Sequence, residues 1–472
     1  MRKTKIIATI GPATESKQNL SKIIKSGVNV CRLNFSHGKH EDHEKVLNNI
    51  REINEEKGLY ISTLADLQGP KLRVGIMEDN TLLVEGKEIV FTNKECIGNA
   101  ERVYMNYSEF AKDVKKGESI RLDDGKFEMK IIETDGKSEV RAKIVNGGIL
   151  KSNKGVNLPN TIISLPSLTP KDLIDLDFAL EQNVDWIGLS FVRSARDIIE
   201  LKHIISSKNK KARIIAKIEK PEALTEIDEI IQEADAIMVA RGDLGVEIPM
   251  EQVPIVQKMI VNKCLMYSKP VVVATQMMES MIESPTPTRA EVNDVANAVL
   301  DGVDAVMLSG ETSVGKYPVK VIDAIVKILG EADKHSAKEI SSDDNPFKNE
   351  DRIITDSICF NASNLADKTN AKAIVTMTHS GYTAFKISSK RPSAEIFVFS
   401  GNKELLTKLS LVWGVKTFFY DKMVSTDHTI ADIKYILKKG NFLEKGDLII
   451  NTASIPIEES GKTNMLKLSY ID

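Results

Sequence analysis

The residues best equipped for chemistry lie in one stretch, RIIAKIEKPEALTEIDEIIQEADAIMVARGDLGVEIP, from Arg213 to Pro249. Lys217 and Glu219 are two apart on an extended apolar run, so both side chains leave the same face. Asp243 follows the next apolar run, Asp235 to Arg241. One ammonium and two carboxylates that converge make a hard-cation site with a catalytic cation beside it. A lone Lys-x-Glu is more simply a buried ion pair, and the neighbouring segments decide between the two. Pro221 suits the first turn of a helix, and Leu224, Ile227, Ile230 and Ile231 recur at helical spacing. The stretch is therefore a strand–helix–strand unit. Its polar residues fall at the carboxyl ends of the strands, where parallel α/β sheets bind ligands.

Such a unit needs a sheet around it. Eight apolar runs occur, at Lys5–Ile10, Val28–Leu33, Ile61–Leu67, Asp185–Phe191, Arg213–Ile218, Asp235–Ala240, Pro270–Thr275 and Asp304–Leu308. Helical patterns such as Ser16–Ser26, His40–Lys57 and Pro170–Gln182 separate most of them. This alternation predicts an α/β fold, a (β/α)₈ TIM barrel. Seven of the runs end in polar or Gly-containing groups: Arg32-Leu33-Asn34, Asp66, Ser190, Lys217 with Glu219, Arg241-Gly242-Asp243, Thr275-Gln276 and Ser309-Gly310-Glu311. Gathered around one rim, they form a site.

The alternation breaks after the third run. Residues 70–166 carry turn pairs Asp124-Gly125, Asp135-Gly136 and Gly147-Gly148 between short alternating segments such as Ser119–Leu122 and Phe127–Ile132. They predict an inserted all-β lid domain of hairpins over the barrel mouth, hinged at Gly69-Pro70 and Leu165-Pro166. The barrel then comprises residues 1–69 and 167–342, ending with a helix from about Pro318 to Lys334. A polar linker, Ser336 to Asp351, leads to a C-terminal doubly wound α/β domain, residues 343–472. Helices are expected there near Ile353–Asp367 and Ala384–Ser389, and strands at Ala373–Thr376, Glu395–Phe399, Val415–Phe419 and Asp447–Asn451.

The composition agrees with this plan. The 472 residues suit about three domains, and 42% hydrophobic content argues against disorder. A formal charge of −3 gives no reason to expect nucleic acid or acidic membrane as a partner. Cys31, Cys96, Cys264 and Cys359 are dispersed, as reduced thiols of a cytoplasmic protein are, and no run is long enough for a membrane span or signal peptide. His37, His40 and His43 invite a zinc reading, but no acid or thiol completes a tetrahedral set. Gly147-Gly148 and the Gly310 to Gly315 run lack a Walker lysine.

The motifs CRLNFSHG at 31–38, DLQGPKLRVG at 66–75, KGVNLP at 154–159, AKIEKPEAL at 216–224, DAIMVARGDLGVEIP at 235–249, ATQMMESM at 274–281, PTRAEVNDVANAVLDG at 287–302 and MLSGET at 307–312 closely resemble those of pyruvate kinases. The likeness runs along the whole chain, to the bacterial type without an extra C-terminal extension domain. It implies transfer of a phosphoryl group from phosphoenolpyruvate to ADP, giving ATP and an enolate that is protonated to pyruvate, the last step of glycolysis. It implies Mg²⁺, for which Mn²⁺ can substitute, on Glu219 and Asp243, which leave other positions for water and substrate oxygens. Lys217 would stabilise charge on the transferring group and the enolate. Arg32 would hold the substrate phosphate, and the Gly242 and Asp243 backbone its carboxylate. Thr275 would contact substrate, and Thr275 or Ser309 could relay a proton to the enolate carbon. Asn34, His37, Arg73 and Lys154 would serve the nucleotide.

Many members carry Glu where this chain has Lys71, and bind potassium through positions matching Asn34, Ser36, Asp66 and the Leu67 carbonyl. Lys71 would fill that monovalent-cation pocket, so potassium is not expected to be required. The resemblance also implies a homotetramer whose barrel contact lies near a capping box at Thr288-Arg289-Ala290-Glu291. A phosphorylated allosteric effector is expected where Thr378, Ser380, Gly381 and Thr383 gather at a helix N-terminus, with Ser460-Gly461-Lys462-Thr463 closing over it. Two alternatives differ in kind: another Mg²⁺–enolate barrel of the lyase or aldolase type, and a catalytically dead homologue that senses a metabolite. The lid and C-terminal domain weigh against the first. The complete set Arg32, Lys217, Glu219, Asp243 and Thr275 weighs against the second.

Overall fold

The computed structural model describes residues 2–335, 350–422, 425–455 and 462–472. Eight parallel strands, Lys5–Thr9, Val30–Asn34, Ser62–Asp66, Trp186–Leu189, Arg213–Ile218, Ala236–Ala240, Val271–Ala274 and Ala305–Leu308, close into a barrel in chain order, the first pairing with the last. Seven sit inside one of the eight apolar runs, and Val30–Asn34 extends one residue past its run. The strands are buried on both faces, and this is why they read as continuous apolar segments rather than alternating ones.

Inside the barrel, every second residue builds a layer. Ile7, Val30, Leu64, Trp186, Ile215, Met238, Val272 and Met307 fill the interior. Ile6, Cys31, Ala65, Ile214 and Ala216 face outward into the core beneath the helices. Two residues beyond Ile7, Val30, Leu64 and Ile215 come Thr9, Arg32, Asp66 and Lys217. The period of the strand thus carries four polar groups to the top of the interior. At the bottom Leu411, from the C-terminal domain, joins the same interior cluster.

The helix after Lys217 is broken in two, Glu222–Thr225 and Ile227–Glu233, with Glu226 between them. The helices at His40–Lys57, Pro170–Glu181 and Pro318–Ala332 agree with expectation, and Thr288 and Glu291 form the capping box of the helix Arg289–Asp301. The polar linker and the 342/343 boundary fall almost wholly outside the described residues.

The lid is a six-stranded sheet, in the order Val156–Asn157, Ser119–Leu122, Phe127–Thr134, Glu139–Asn146, Glu88–Thr92, Arg102–Tyr104, with a two-stranded ribbon of Leu82–Leu83 and Gly148–Ile149. Asp124-Gly125 and Asp135-Gly136 turn hairpins. Gly147-Gly148 does not: it hands the chain from the large sheet to the ribbon. Gly69, at the lid's base, has φ +71 and packs so closely that a Cβ would lie 2.8 Å from the Phe191 ring. Only glycine fits there.

The C-terminal sheet runs Val415–Phe419, Glu395–Ser400, Ala373–Met377, Leu448–Ala453, Met465–Tyr470, with apolar clusters on both faces. The last strand is antiparallel, and it and the helices Lys403–Lys408 and Thr426–Lys439 add to the expected elements.

Lys5 is buried where the barrel meets this domain, its Nζ donating to the Val415 carbonyl at 2.7 Å. Burial, reinforced by Arg2, pulls its pKa from 10.5 down to about 7, against Glu395 and Asp333. The folded protein therefore holds this proton less tightly than the unfolded chain. Its contribution to stability is smallest below about pH 7 and grows as the pH climbs toward the unfolded value. Thermal unfolding of the wild type should gain on Lys5→Met between about pH 7 and about pH 9. Parallel pH profiles would show that Lys5 keeps its ordinary pKa.

Candidate active site

At the barrel mouth two cations share one buried carboxylate. Arg32 Nε donates to Asp66 Oδ2 at 2.7 Å, and Lys217 Nζ lies 3.1 Å from Asp66 Oδ1. Arg32 also donates to Thr9 Oγ1 at 2.8 Å. Lys217 Nζ reaches Glu219 Oε1 at 2.9 Å and donates to Ser190 Oγ at 2.7 Å, whose hydroxyl donates to the Leu67 carbonyl at 2.7 Å. Glu219 Oε2 accepts the Phe191 amide at 2.7 Å.

The charges are strongly coupled. Burial alone would raise the Asp66 pKa, but Lys217 and Arg32 overcome it and hold the carboxylate below its ordinary range. Burial would strip Lys217 of its proton, but Asp66 and Glu219 keep the ammonium well above its usual pKa. Glu219 goes the other way: burial, with repulsion from Asp243, lifts it above the usual carboxylate value despite Lys217. A carboxylate so poorly compensated suits a divalent cation, and Glu219 and Asp243 supply the hard oxygens for one. Among the described residues no three His, Cys, Asp or Glu side chains gather as a metal-binding set.

Asp243 stands in the first turn of the helix Arg241–Glu247, on the wall of a cleft of about 1320 Å³ between barrel and lid. Gly242, Thr275 and Ser309 line the same cleft. The Gly242 amide donates to Thr275 Oγ1 at 2.8 Å, and that hydroxyl donates to the Ala274 carbonyl at 2.6 Å. An anion taken on the Gly242 amide would displace the Thr275 hydroxyl. Thr275 has φ +70, Gln276 +56 and Phe191 +53, a left-handed backbone at three side-chain-bearing residues around the mouth. Such strain persists only where the surroundings enforce it.

Lys71 requires a correction. It lies 3.7 Å from Asp243 Oδ1 rather than among Asn34, Ser36, Asp66 and Leu67. The Lys217 and Arg32 cations already occupy Asp66, Asn34 Oδ1 accepts the Ser36 amide at 3.2 Å, and the Leu67 carbonyl takes Ser190. Lys71 goes instead to the unpaired acid nearer the lid's base.

The residues expected to serve the nucleotide are spread along the lid base and the second strand. Arg73 donates to the Asn153 carbonyl at 2.9 Å and Lys154 pairs with Asp123 at 2.8 Å, while Arg73 and Gly155 form a bridge that holds the two segments together. His37 meets Asn34 through its backbone, and its carbonyl faces His43 Nε2 at 3.0 Å. The rings of His40 and His43 stack on Phe178 and Phe35. In the C-terminal loop the Thr378 hydroxyl accepts the Gly381 amide at 3.0 Å, and Ser380 is exposed. Thr383 is buried against Thr376 at 2.9 Å, so its hydroxyl faces the core. Ser460 and Gly461 lie outside the described residues; Lys462 is exposed and Thr463 buried.

Sequence reasoning missed several groups. Ser190 was visible only as a strand-end polar residue, without its bridge to Lys217. Arg241 clamps Asp294 through two bonds of 2.7 and 2.8 Å and donates to the Thr275 carbonyl. Arg193 donates to the carbonyls of Ile163 and Leu165 beside the second hinge. These contacts join distant segments, and no local pattern announces them.

Asp66→Asn would leave Arg32 and Lys217 facing each other without their shared counter-charge. Removing one partner from a buried pair costs about 3–5 kcal/mol. Chemical denaturation should show a loss of that order; a variant as stable as the wild type would mean that other groups neutralise the two cations.

Comparison with known proteins converges on the same chemistry. Residues 1–322 match the model "Pyruvate kinase, barrel domain" and residues 356–469 "Pyruvate kinase, alpha/beta domain". The chain is 41% identical over 474 aligned residues to the pyruvate kinase of Geobacillus stearothermophilus, covering all of this chain and 80% of the relative. It is 40% identical to that of Staphylococcus aureus strain MRSA252, covering 100% and 81%. The crystal structure of a pyruvate kinase from Cryptosporidium parvum superposes with a TM-score of 0.92 at 35% identity, over 100% of this chain and 96% of that one. With its barrel, lid, C-terminal sheet and charged mouth in the same order, the chain belongs to the pyruvate kinase family.

Proposed function

We propose that the protein transfers the phosphoryl group of phosphoenolpyruvate to ADP with Mg²⁺ on Glu219 and Asp243. The observation that carries this reading is the Arg32–Asp66–Lys217–Glu219 cluster beside the Asp243 cleft. The bond between phosphorus and the enol oxygen breaks, and a terminal oxygen of ADP takes the phosphoryl group. The electron pair stays on the enolate, which gains a proton at carbon to give pyruvate. Bound Mg²⁺ would supply charge neutralisation at the phosphoryl and carboxylate oxygens. Lys217 remains an ammonium throughout, because Asp66 and Glu219 hold its proton, and it stabilises charge without giving that proton up. Arg32, fixed by Asp66 and Thr9, offers its other Nη to the substrate phosphate. Arg73 and Lys154 turn to the nucleotide phosphates as the lid closes and water leaves. The Thr275 hydroxyl is suited to orienting substrate and relaying a proton, with Ser309 on the same wall.

The wider reading is a cytoplasmic homotetramer with a phosphorylated effector on the Thr378–Thr383 loop. Four free cysteines support a reducing compartment. No described helix is long and apolar enough to cross a membrane. Exposed Met250, Ile255 and Leu300 on the barrel, and Leu468 and Tyr470 on the C-terminal edge strand, support contacts with further copies.

Lys217→Met should lower turnover by several powers of ten in a coupled assay, with phosphoenolpyruvate binding largely kept, because the lost charge acts mainly in the transition state. Near-normal turnover would remove Lys217 from the mechanism. Potassium should not be required. Lys71 holds a covalently attached cation against Asp243 at the same mouth, at the sequence position where many members that need potassium carry Glu. Turnover in tetramethylammonium buffer should be unchanged by potassium chloride at matched ionic strength, and Lys71→Glu should acquire a potassium requirement. Strong activation of the wild type by potassium would refute this role for Lys71.

A further inference from the structure

We propose that Lys220 and Glu247 form a positioning strut that sets the separation of the Glu219 and Asp243 carboxylates. The inference rests on the reading of those two carboxylates as the divalent-cation ligands. Lys220 Nζ donates to Glu247 Oε1 at 2.6 Å, and both side chains are buried, 8% and 1% exposed. Lys220 is the peptide neighbour of Glu219, and Glu247 stands four residues after Asp243 in the same short helix. Residues four apart in a helix share a face, so one turn of helix separates the acid at the mouth from the acid that grips Lys220. Each metal ligand is thus joined covalently to one end of the same ion pair.

The helix needs such an anchor. It spans only seven residues, Arg241–Glu247; Thr275 and Asp294 hold its first turn through the Gly242 amide and Arg241, and Glu247 on Lys220 holds its last. Taking two charges out of water is costly, and a well-packed apolar pair would hold the fold as well or better. An ion pair of fixed length sets a distance that apolar packing leaves loose. Asn157 of the lid donates to the same Glu247 Oε1 at 2.8 Å, and lid Arg121 donates to the Val246 carbonyl. The strut is therefore also where the lid rests on the metal-bearing helix.

Titrating the free protein with Mn²⁺, followed by electron paramagnetic resonance, reads the strut without turnover. Charge alone would make Lys220→Met bind Mn²⁺ more tightly, since a nearby cation is lost. The strut predicts the opposite, a dissociation constant raised about tenfold or more, as for other groups that orient metal ligands. The paired replacement Lys220→Met with Glu247→Met keeps the net charge and restores an apolar contact, so it decides the matter if the single variant does not fold; it should weaken Mn²⁺ by a similar factor. Wild-type or tighter binding in the folded variants overturns the strut. Glu219→Gln is the control: if it leaves Mn²⁺ affinity intact, the metal reading itself fails and the strut with it. If it abolishes binding while the Lys220 variants bind normally, the strut alone fails.

Discussion

Asp66 is shared between Arg32 and Lys217, and the mouth of the barrel depends on that sharing. A buried carboxylate with one cation would be neutral as a pair; with two, the group keeps a net positive charge aimed at the space above it. Glu219 then makes four charges of equal number and opposite sign, and Asp243 and Lys71 extend the pattern toward the lid. Such an array costs desolvation energy that only close geometry offsets. The barrel supplies the geometry. Its inward rows carry Thr9, Arg32, Asp66 and Lys217 two residues beyond Ile7, Val30, Leu64 and Ile215, each on a strand rather than on a flexible loop.

Around this rigid layer the structure accepts strain. Phe191, Thr275 and Gln276 adopt left-handed backbone conformations that side chains disfavour. Phe191 presents its amide to Glu219, and Thr275 presents its hydroxyl to the Gly242 amide. The distortion thus aims polar groups into the mouth. Leu411 and the buried lysines Lys3 and Lys5 tie the opposite end of the barrel to the C-terminal domain: Lys3 donates to the carbonyls of Pro392, Ser393 and Ala394. One strand, Arg213–Ile218, spans the whole distance, with Arg213 near the Ser380 carbonyl and Lys217 at the mouth.

The barrel was legible because its strands are buried on both faces and stand out as apolar runs between helices. The charged cluster at the mouth was legible for the same reason: Arg32, Asp66, Lys217 and Glu219 interrupt those runs at one end. Lys71 was not. The match to the family suggests the Asp66 pocket, but Asp66 is already paired with Arg32 and Lys217, and the four-carbon side chain at the lid's base turns to Asp243. Ser190, Asn157 and Glu247 were hidden because their roles arise from contacts between segments remote in sequence. The Gly147-Gly148 pair reads as a hairpin turn locally, yet the strand after it finds its partner at Leu82–Leu83. The edge strand Met465–Tyr470 is half exposed and polar on alternate positions, which leaves little pattern to read.

Phosphorus NMR of phosphoenolpyruvate, ADP and Mg²⁺ mixed with the protein tests the central claim most directly, because it follows the transferred group itself. The account predicts that the phosphoenolpyruvate signal is replaced by that of the γ-phosphate of ATP, one for one. Release of inorganic phosphate without ATP, or an unchanged spectrum at protein concentrations where the fold is intact, would contradict it.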